Sequence, residues 1–301
     1  MTARPVVALD VGGTKLAAAT AVPGEAGWTA TARAPTPATG AEALTALLAL
    51  ADSLGSDQIG GVGVSFGGHV DARTGTARRS VHVPGWEDVP LAALLGERFG
   101  APVRIANDGN AGALGEWDAA ARPRDPVCYV TVSTGVGGGL VVDGEPVAGA
   151  DGLAAEVGHL LVEPGGAACG CGRRGCVETV ASGPAIARRA GTASAEAAVA
   201  AAERGDERAR RALADAAHAL ATAVAALVAV VNPAFVAIGG GVANAGPLLW
   251  DPLEDELAAT AWPEVTTRVG RAASDDAPLV GARVLAERAM IHAANERAKE
   301  S

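Results

Sequence analysis

VVALDVGGTKLAAAT, residues 6–20, is the stretch on which the fold turns. The apolar run from Pro5 to Asp10 reads as a strand that breaks at Gly12-Gly13, and Leu16 to Val22 reads as the strand that returns. A tight turn of glycines lets backbone N–H groups converge on one phosphate, and Thr14 adds a hydroxyl donor. Asp10, at the strand end, suits a Mg²⁺ ion held through water, because that ion surrenders its waters reluctantly. Lys15 is one of two lysines in the chain, the other being Lys299. A plain hairpin turn is the competing reading of the same residues.

Further on, the pattern starts again. Val127 to Val132 reads as a strand, Ser133-Thr134-Gly135-Val136-Gly137-Gly138 as a second glycine turn, and Gly139 to Val142 as its returning strand. Two such copies, more than 100 residues apart, imply a duplicated α/β architecture, and the second turn weighs towards phosphate binding at the first. Between the copies lie a strand from Trp28 to Arg33, a helix over 41–54, a buried strand from Gly61 to Phe66 and a helix near 90–99. The strand Pro102 to Ala106 then leads to a helix that starts after Asp108. The second half continues with helices in 184–231, the strand Phe235 to Ile238, the triplet Gly239-Gly240-Gly241 and helices to the C-terminus. Pro247 and Pro252 fit the early turns of the penultimate helix better than its interior.

Composition limits the function classes. A chain of 301 residues, 49% hydrophobic and only 3% aromatic, builds its core from Ala, Val and Leu and is long enough for two domains. A net charge of −10 argues against a nucleic-acid binder, which would carry a basic face. The most apolar stretch, Ala212 to Val231, is rich in Ala and holds Asp215 and His218, so it reads as a buried helix and not a membrane span. The N-terminus, Met1 to Pro5, runs straight into a strand and leaves no room for a signal peptide, so a cytoplasmic location is expected.

In such a chain four cysteines point to a metal before disulfides. His159, Cys169, Cys171 and Cys176 fall within 18 residues, with glycines that permit a tight path, and supply three thiolates and one imidazole. That is a complete tetrahedral zinc set with no open position, hence a structural ion. Free buried cysteines are the alternative; Cys128, inside a strand, reads as a small core residue. A literal G-x-G-x-x-G at Gly170, Gly172 and Gly175 follows no strand and starts no βαβ unit, so it is no dinucleotide fingerprint. Glu156 and Glu178 bracket the cluster. With one His159 nitrogen on zinc, the other can hold a hydroxyl, and two carboxylates beside it suit a polyol; the plain alternative for each is a solvated surface residue. Asn107-Asp108, where a strand meets a helix, offers a carboxylate that can take the proton of an attacking hydroxyl. An ordinary helix N-cap explains the same pair.

Together these segments resemble the ROK family of repressors, open reading frames and kinases. The matching stretches are LDVGGTK at 9–15, IANDGNAGALGE at 105–116, TVSTGVGGGLVVDG at 131–144, AAEVGHLLVE at 154–163 and CGCGRRGCVETVASG at 169–183. The resemblance implies an actin-like ATPase, ribonuclease H-like fold of two α/β domains with ATP in a central cleft. The smaller domain would span 1–117, completed by the C-terminal helix about 285–301, and the larger one 118–284 with the zinc knuckle. Asp108 would be the general base. Asn107, Glu156, His159, Glu178, Gly68 and His82 would bind the sugar. Asp10, Gly12, Gly13, Thr14, Lys15, Thr134 and Gly135 would surround the ATP phosphates and Mg²⁺, with Gly240 and Gly241 near the adenosine. Two positions depart from the family pattern: Ser133 stands where similar kinases usually have Gly, and His82 where many have Asn. Family repressors carry an N-terminal helix-turn-helix; with nine residues before Asp10, no DNA-binding role is expected.

A hexose kinase acting on glucose is the leading expectation, with N-acetylmannosamine, fructose, mannose or a sugar-like cyclitol as alternative substrates. A non-catalytic sugar sensor and an actin-like assembly protein are the readings from other classes. Retention of Asp108 and of both phosphate turns argues against a sensor. The Ala-rich second half is expected to form a homo-oligomer, a dimer or tetramer.

Overall fold

The computed structural model describes residues 4–55, 58–80, 82–120, 125–260 and 262–300; Met1 to Ala3 of the N-terminal reading, and Val81 before His82, lie outside them. The described chain separates into two compact units. One comprises residues 1–121, 145–154 and 276–301, and the other residues 122–144 and 155–275.

In the first unit, β1 (Val6–Val11) turns at the glycines into antiparallel β2 (Lys15–Ala21), which pairs with β3 (Ala30–Pro35). β4 (Gly61–Phe66) and β7 (Val103–Asn107) add parallel strands, giving the order β3-β2-β1-β4-β7. Every residue of β4 is buried, which is why its sequence is a continuous apolar run and not an alternation. A two-stranded hairpin, β5 (His69–Asp71) and β6 (Thr76–Arg79), follows β4; its polar strands carry no apolar periodicity, and the sequence reading passed over it. Helix α1 (Gly40–Ser53) starts at Thr39, whose hydroxyl accepts from the Glu42 N–H, and α2 (Leu91–Phe99) stops at Gly100 with φ 59°. Helix α3 (Asp108–Ala119) leaves the end of β7 directly.

The C-terminal helix of this unit, residues 277–300, lies against β4 and α3. That contact is built on missing side chains: a Cβ on Gly63 would overlap the Ala282 carbonyl, and one on Gly281 the Ala111 carbonyl.

The second unit repeats the pattern. β8 (Val127–Val132) turns into antiparallel β9 (Val136–Val142), and β11 (Phe235–Gly239) and β12 (Arg268–Arg271) add parallel strands, in the order β9-β8-β11-β12. The two-residue strand β10 (Glu145–Pro146) belongs to the segment that returns to the first unit. In each unit a hairpin is therefore followed by two parallel strands beside its first strand, which is the duplication expected from the glycine turns. The returning strand begins at Val136, three residues before the sequence reading placed it, because the glycines of β9 pair normally with β8.

Around this sheet lie α4 (Glu178–Ala181), α5 (Gly183–Ala190), α6 (Ala195–Glu203), α7 (Glu207–Val231) and α8 (Pro247–Thr260), which makes the C-terminal helix α9 (Ala277–Glu300). By length and composition α7 could cross a membrane. It instead buries one face, including Leu213, Leu220, Val224 and six or more alanines, in the core of its unit, as its Ala-rich sequence suggested. Pro247 opens α8, but Pro252 sits inside it, a correction to its placement in the early turns.

Candidate active site

In the first unit the chemistry collects at the carboxyl ends of β1, β4 and β7. Asp10 faces Ser65 across the parallel β1–β4 pair, and the fully buried Ser65 hydroxyl donates to Asp10 Oδ1 at 2.7 Å. Desolvation pushes the Asp10 carboxyl up to about 6, against the opposing pull of the Ser65 hydroxyl and the charge of Lys15. Lys15 does not extend over the turn: its Nζ pairs with Asp276 Oδ1 at 3.1 Å, and Arg33 meets the other oxygen of the same carboxylate. The turn itself is closed by Gly12 N donating to the Lys15 carbonyl at 3.0 Å and anchored by the Thr36 hydroxyl on the Gly12 carbonyl at 2.7 Å. The Thr14 carbonyl accepts from Thr36 N at 3.1 Å, so the turn is also held by main chain.

His82 lies over this turn. A Cβ on Gly13 would stand 2.8 Å from the His82 Cβ and from its ring, so the glycine and the His82 side chain are in close contact. Trp86, four residues on, is buried edge-on against Phe66. Ser80 fixes the segment through its hydroxyl, which donates to the Gly67 carbonyl at 3.2 Å and accepts from His82 N at 3.3 Å.

Asn107 caps α3 and also meets Asp108. The Asn107 amide oxygen accepts from Gly109 N (2.9 Å) and Asn110 N (3.2 Å), closing the first turn of α3. Its amide nitrogen donates to the Gly68 carbonyl (3.1 Å) and to Asp108 Oδ1 (3.0 Å). Gly109 N also donates to Asp108 Oδ1 at 2.9 Å, and Oδ2 is turned towards Gly67. One oxygen of Asp108 is thus fixed by two donors, which sets the direction of the other.

In the second unit, the turn Ser133–Val136 closes with Ser133 N donating to the Gly135 carbonyl at 2.8 Å, and Thr134 and Gly135 form its tip. Glu178 Oε2 accepts from Val136 N at 3.0 Å, and its Oε1 lies 3.9 Å from the Cys169 sulfur. Glu156 immediately precedes the 3-10 turn Val157–His159, and its carbonyl accepts from His159 N at 3.0 Å. Gly240, with φ 90°, fits against β8 where a Cβ would overlap Val132, while Gly241 meets no atom within 4 Å of its would-be Cβ.

The four metal-ligand candidates come together. One ligand atom from each of His159, Cys169, Cys171 and Cys176 lies within 4.8 Å of all the others. His159 Nδ1 is 3.6 Å from the Cys169 sulfur, and the Cys171 and Cys176 sulfurs are 3.7 Å apart. Two sulfurs bound tetrahedrally at 2.3 Å from zinc would be about 3.7 Å apart, so the set fits that ion. Burial pushes the Cys176 thiol up to about 12, whereas the Arg173 backbone N–H and side chain hold Cys171 down at about 6.

Asp10, Gly12 to Lys15, Gly68, His82, Asn107 and Asp108 lie in the first unit, and Thr134, Gly135, Glu156, His159, Cys169, Cys171, Cys176, Glu178, Gly240 and Gly241 in the second. Ser65 and Asp276 were not singled out from the sequence. The strand register across β1 and β4 carries a signal for Ser65, because a buried Ser opposite Asp10 needs a partner. For Asp276, 261 residues from Lys15, no such signal exists.

The family model described as ROK family matches residues 6–289. A glucokinase of Thermotoga maritima is 34% identical over 244 residues, covering 73% of this chain and 77% of the relative. An N-acetylmannosamine kinase of Yersinia pseudotuberculosis is 40% identical over 181 residues, 60% of this chain and 62% of that one. Among solved structures, a ROK family glucokinase from Streptomyces griseus in complex with glucose and AMPPNP superposes with a TM-score of 0.80 at 30% identity, covering 94% of this chain and 99% of the other. The chain belongs to the ROK family, and its fold is the actin-like ATPase fold of the ROK kinases.

Proposed function

We propose that this ROK sugar kinase transfers the γ-phosphoryl group of ATP to the 6-hydroxyl of glucose, with Asp108 as general base. The observation that carries the proposal is the setting of Asp108. It stands at the end of β7 with Oδ1 fixed by Asn107 and Gly109, so that Oδ2 has a defined direction beside the Gly67-Gly68 turn. In the reaction the Asp108 carboxylate takes the hydroxyl proton as the sugar oxygen bonds to the γ-phosphorus and the bond to the ADP oxygen breaks.

Asn107, Gly68, Glu156, His159 and Glu178 bind the sugar hydroxyls. The turns at Gly12 to Thr14 and at Thr134-Gly135 receive the phosphates, and Gly240-Gly241 the adenosine. Asp10 would hold Mg²⁺ through water, and that ion neutralises charge on the phosphates when bound. His159, Cys169, Cys171 and Cys176 would hold a structural zinc that fixes the loop carrying the sugar ligands. The chain acts in the cytoplasm as a homo-oligomer.

N-acetylmannosamine is the second reading, favoured by the 40% identity to an enzyme of that name. A coupled assay of ADP release over glucose, mannose, fructose, N-acetylmannosamine and cyclitols separates the two. Glucose should give the highest kcat/KM and should clearly exceed its deoxy analogues, because a site that hydrogen-bonds a hydroxyl is left unpaired without it. Another sugar exceeding glucose tenfold would overturn the glucose assignment and leave the kinase reading intact.

A further inference from the structure

The turn between β8 and β9 is held at one end by the first residue of α4 and at the other by the first residue of α5. At its far end Val136 N donates to Glu178 Oε2 at 3.0 Å, and at its near end the Ser133 carbonyl accepts from Gly183 N at 2.7 Å. Glu178 opens α4 and Gly183 opens α5, with only Ser182 between the two helices, so the α4–α5 segment spans the clamp. The contact is close: a Cβ on Gly135 would stand only 2.6 Å from Glu178 Oε2.

Helix α4 is also tied to the cysteine knuckle. It begins two residues after Cys176, which is completely buried, and Val177 N donates to the Leu160 carbonyl at 2.9 Å, next to His159. Glu178 Oε1 in turn faces the Cys169 sulfur. One carboxylate therefore touches both the glycine turn and the metal-ligand cluster.

Electrostatics makes this placement informative. A fixed negative charge beside a turn that receives phosphates repels them, so by charge alone Glu178 would weaken nucleotide binding. A hydrogen bond from a backbone N–H to a carboxylate is strong and directional, and it can offset that cost by fixing the turn.

We propose that Glu178 is a positioning residue for the phosphoryl donor: with α4, it fastens the Ser133–Val136 turn to the Cys/His knuckle, so that order in the knuckle sets nucleotide affinity. This rests on the reading of that turn as phosphate-binding and adds to the sugar-binding role of Glu178. It makes the zinc knuckle serve both substrates.

Equilibrium binding of ADP without sugar, and of glucose without nucleotide, tests the proposal on the zinc-loaded enzyme. Glu178→Asp keeps the charge but shortens the reach by one methylene, about 1.5 Å. Its ADP Kd should rise about fivefold or more. Glu178→Gln keeps an acceptor within reach and removes the charge, so its ADP Kd should stay within about threefold of wild type or fall. An aspartate variant with wild-type ADP affinity would overturn the proposal, as would a glutamine variant that binds ADP as weakly as the aspartate variant. Glucose affinity lost in both variants while ADP affinity is unchanged would leave Glu178 a sugar ligand alone. ADP affinity lost in the aspartate variant with glucose affinity intact would support the clamp and remove the sugar role. The wild-type chain gives a check that needs no substitution: hydrogen exchange at residues 133–136 should quicken when the metal is chelated, and unchanged exchange would refute the link.

Discussion

Asn107 closes the first turn of α3 with its amide oxygen and reaches Asp108 Oδ1 with its amide nitrogen at 3.0 Å. The cap and the orientation of the proposed base are the work of opposite ends of one amide, so a substitution can separate them. Asn107→Ser retains an N-cap acceptor and loses the amide nitrogen that reaches Asp108. Stability should stay within about 1 kcal/mol of wild type, the scale of a whole cap, while kcat falls about tenfold. Calorimetry and steady-state kinetics on the same preparation would read both, and an unchanged kcat would reduce Asn107 to a cap.

Asp10 predicts a pH dependence of stability. Its folded value of about 6 lies above the ordinary 3.8, chiefly through desolvation. The folded chain therefore holds this proton more tightly than the unfolded chain. The associated stability is fully present below about pH 4 and is lost as pH rises through 6. A shift of this size corresponds to a loss on the order of 1–3 kcal/mol. Asp10→Asn, which can still accept from Ser65, should match wild type in Tm near pH 4 and exceed it at pH 7.5, without nucleotide or magnesium. A variant less stable than wild type at pH 7.5 would contradict this.

Much of this architecture was readable in the sequence because turns, strands and the cysteine spacing are local signals. Both glycine hairpins, β4 and β8 stand where the apolar runs ended in glycine, and the four metal-ligand candidates do meet. What escaped was either locally featureless or remote. β12 and the β5–β6 hairpin are short and half-polar, so no period marks them. The pairing of Lys15 with Asp276 joins residues that only the folded chain makes neighbours, and it turns a lysine read as a phosphate ligand towards the N-terminus of α9.

Gly13 and His82 form a second separable pair. Gly13→Ala would put a methyl group 2.8 Å from the imidazole, and the ring atoms it meets lie near the side-chain base, so the contact cannot be relieved by a flexible tip. The KM for ATP should rise about tenfold, and His82→Gly in the same chain, which removes the Cβ as well as the ring, should recover a large part of it. Equal KM values in the single and double variants would show that the clash does not control the turn.

The metal prediction concerns both stability and sugar binding. One zinc per chain should be found by elemental analysis, and Cys169→Ser should lose it, lower Tm and reduce kcat/KM for the sugar by at least about tenfold, the scale at which supporting groups of a metal site act. Full activity in a variant shown to be free of zinc would refute the structural role.

The central claim is that the Asp108 carboxylate takes the proton of the sugar hydroxyl, and Asp108→Asn tests it most directly, because the amide oxygen can keep the contacts from Asn107 and Gly109 while the base is gone. Single-turnover phosphorylation of glucose should slow by about 10²-fold or more, the scale of general-base assistance, with the glucose Kd within about threefold of wild type. A variant that transfers the phosphoryl group at near the wild-type rate would contradict the account.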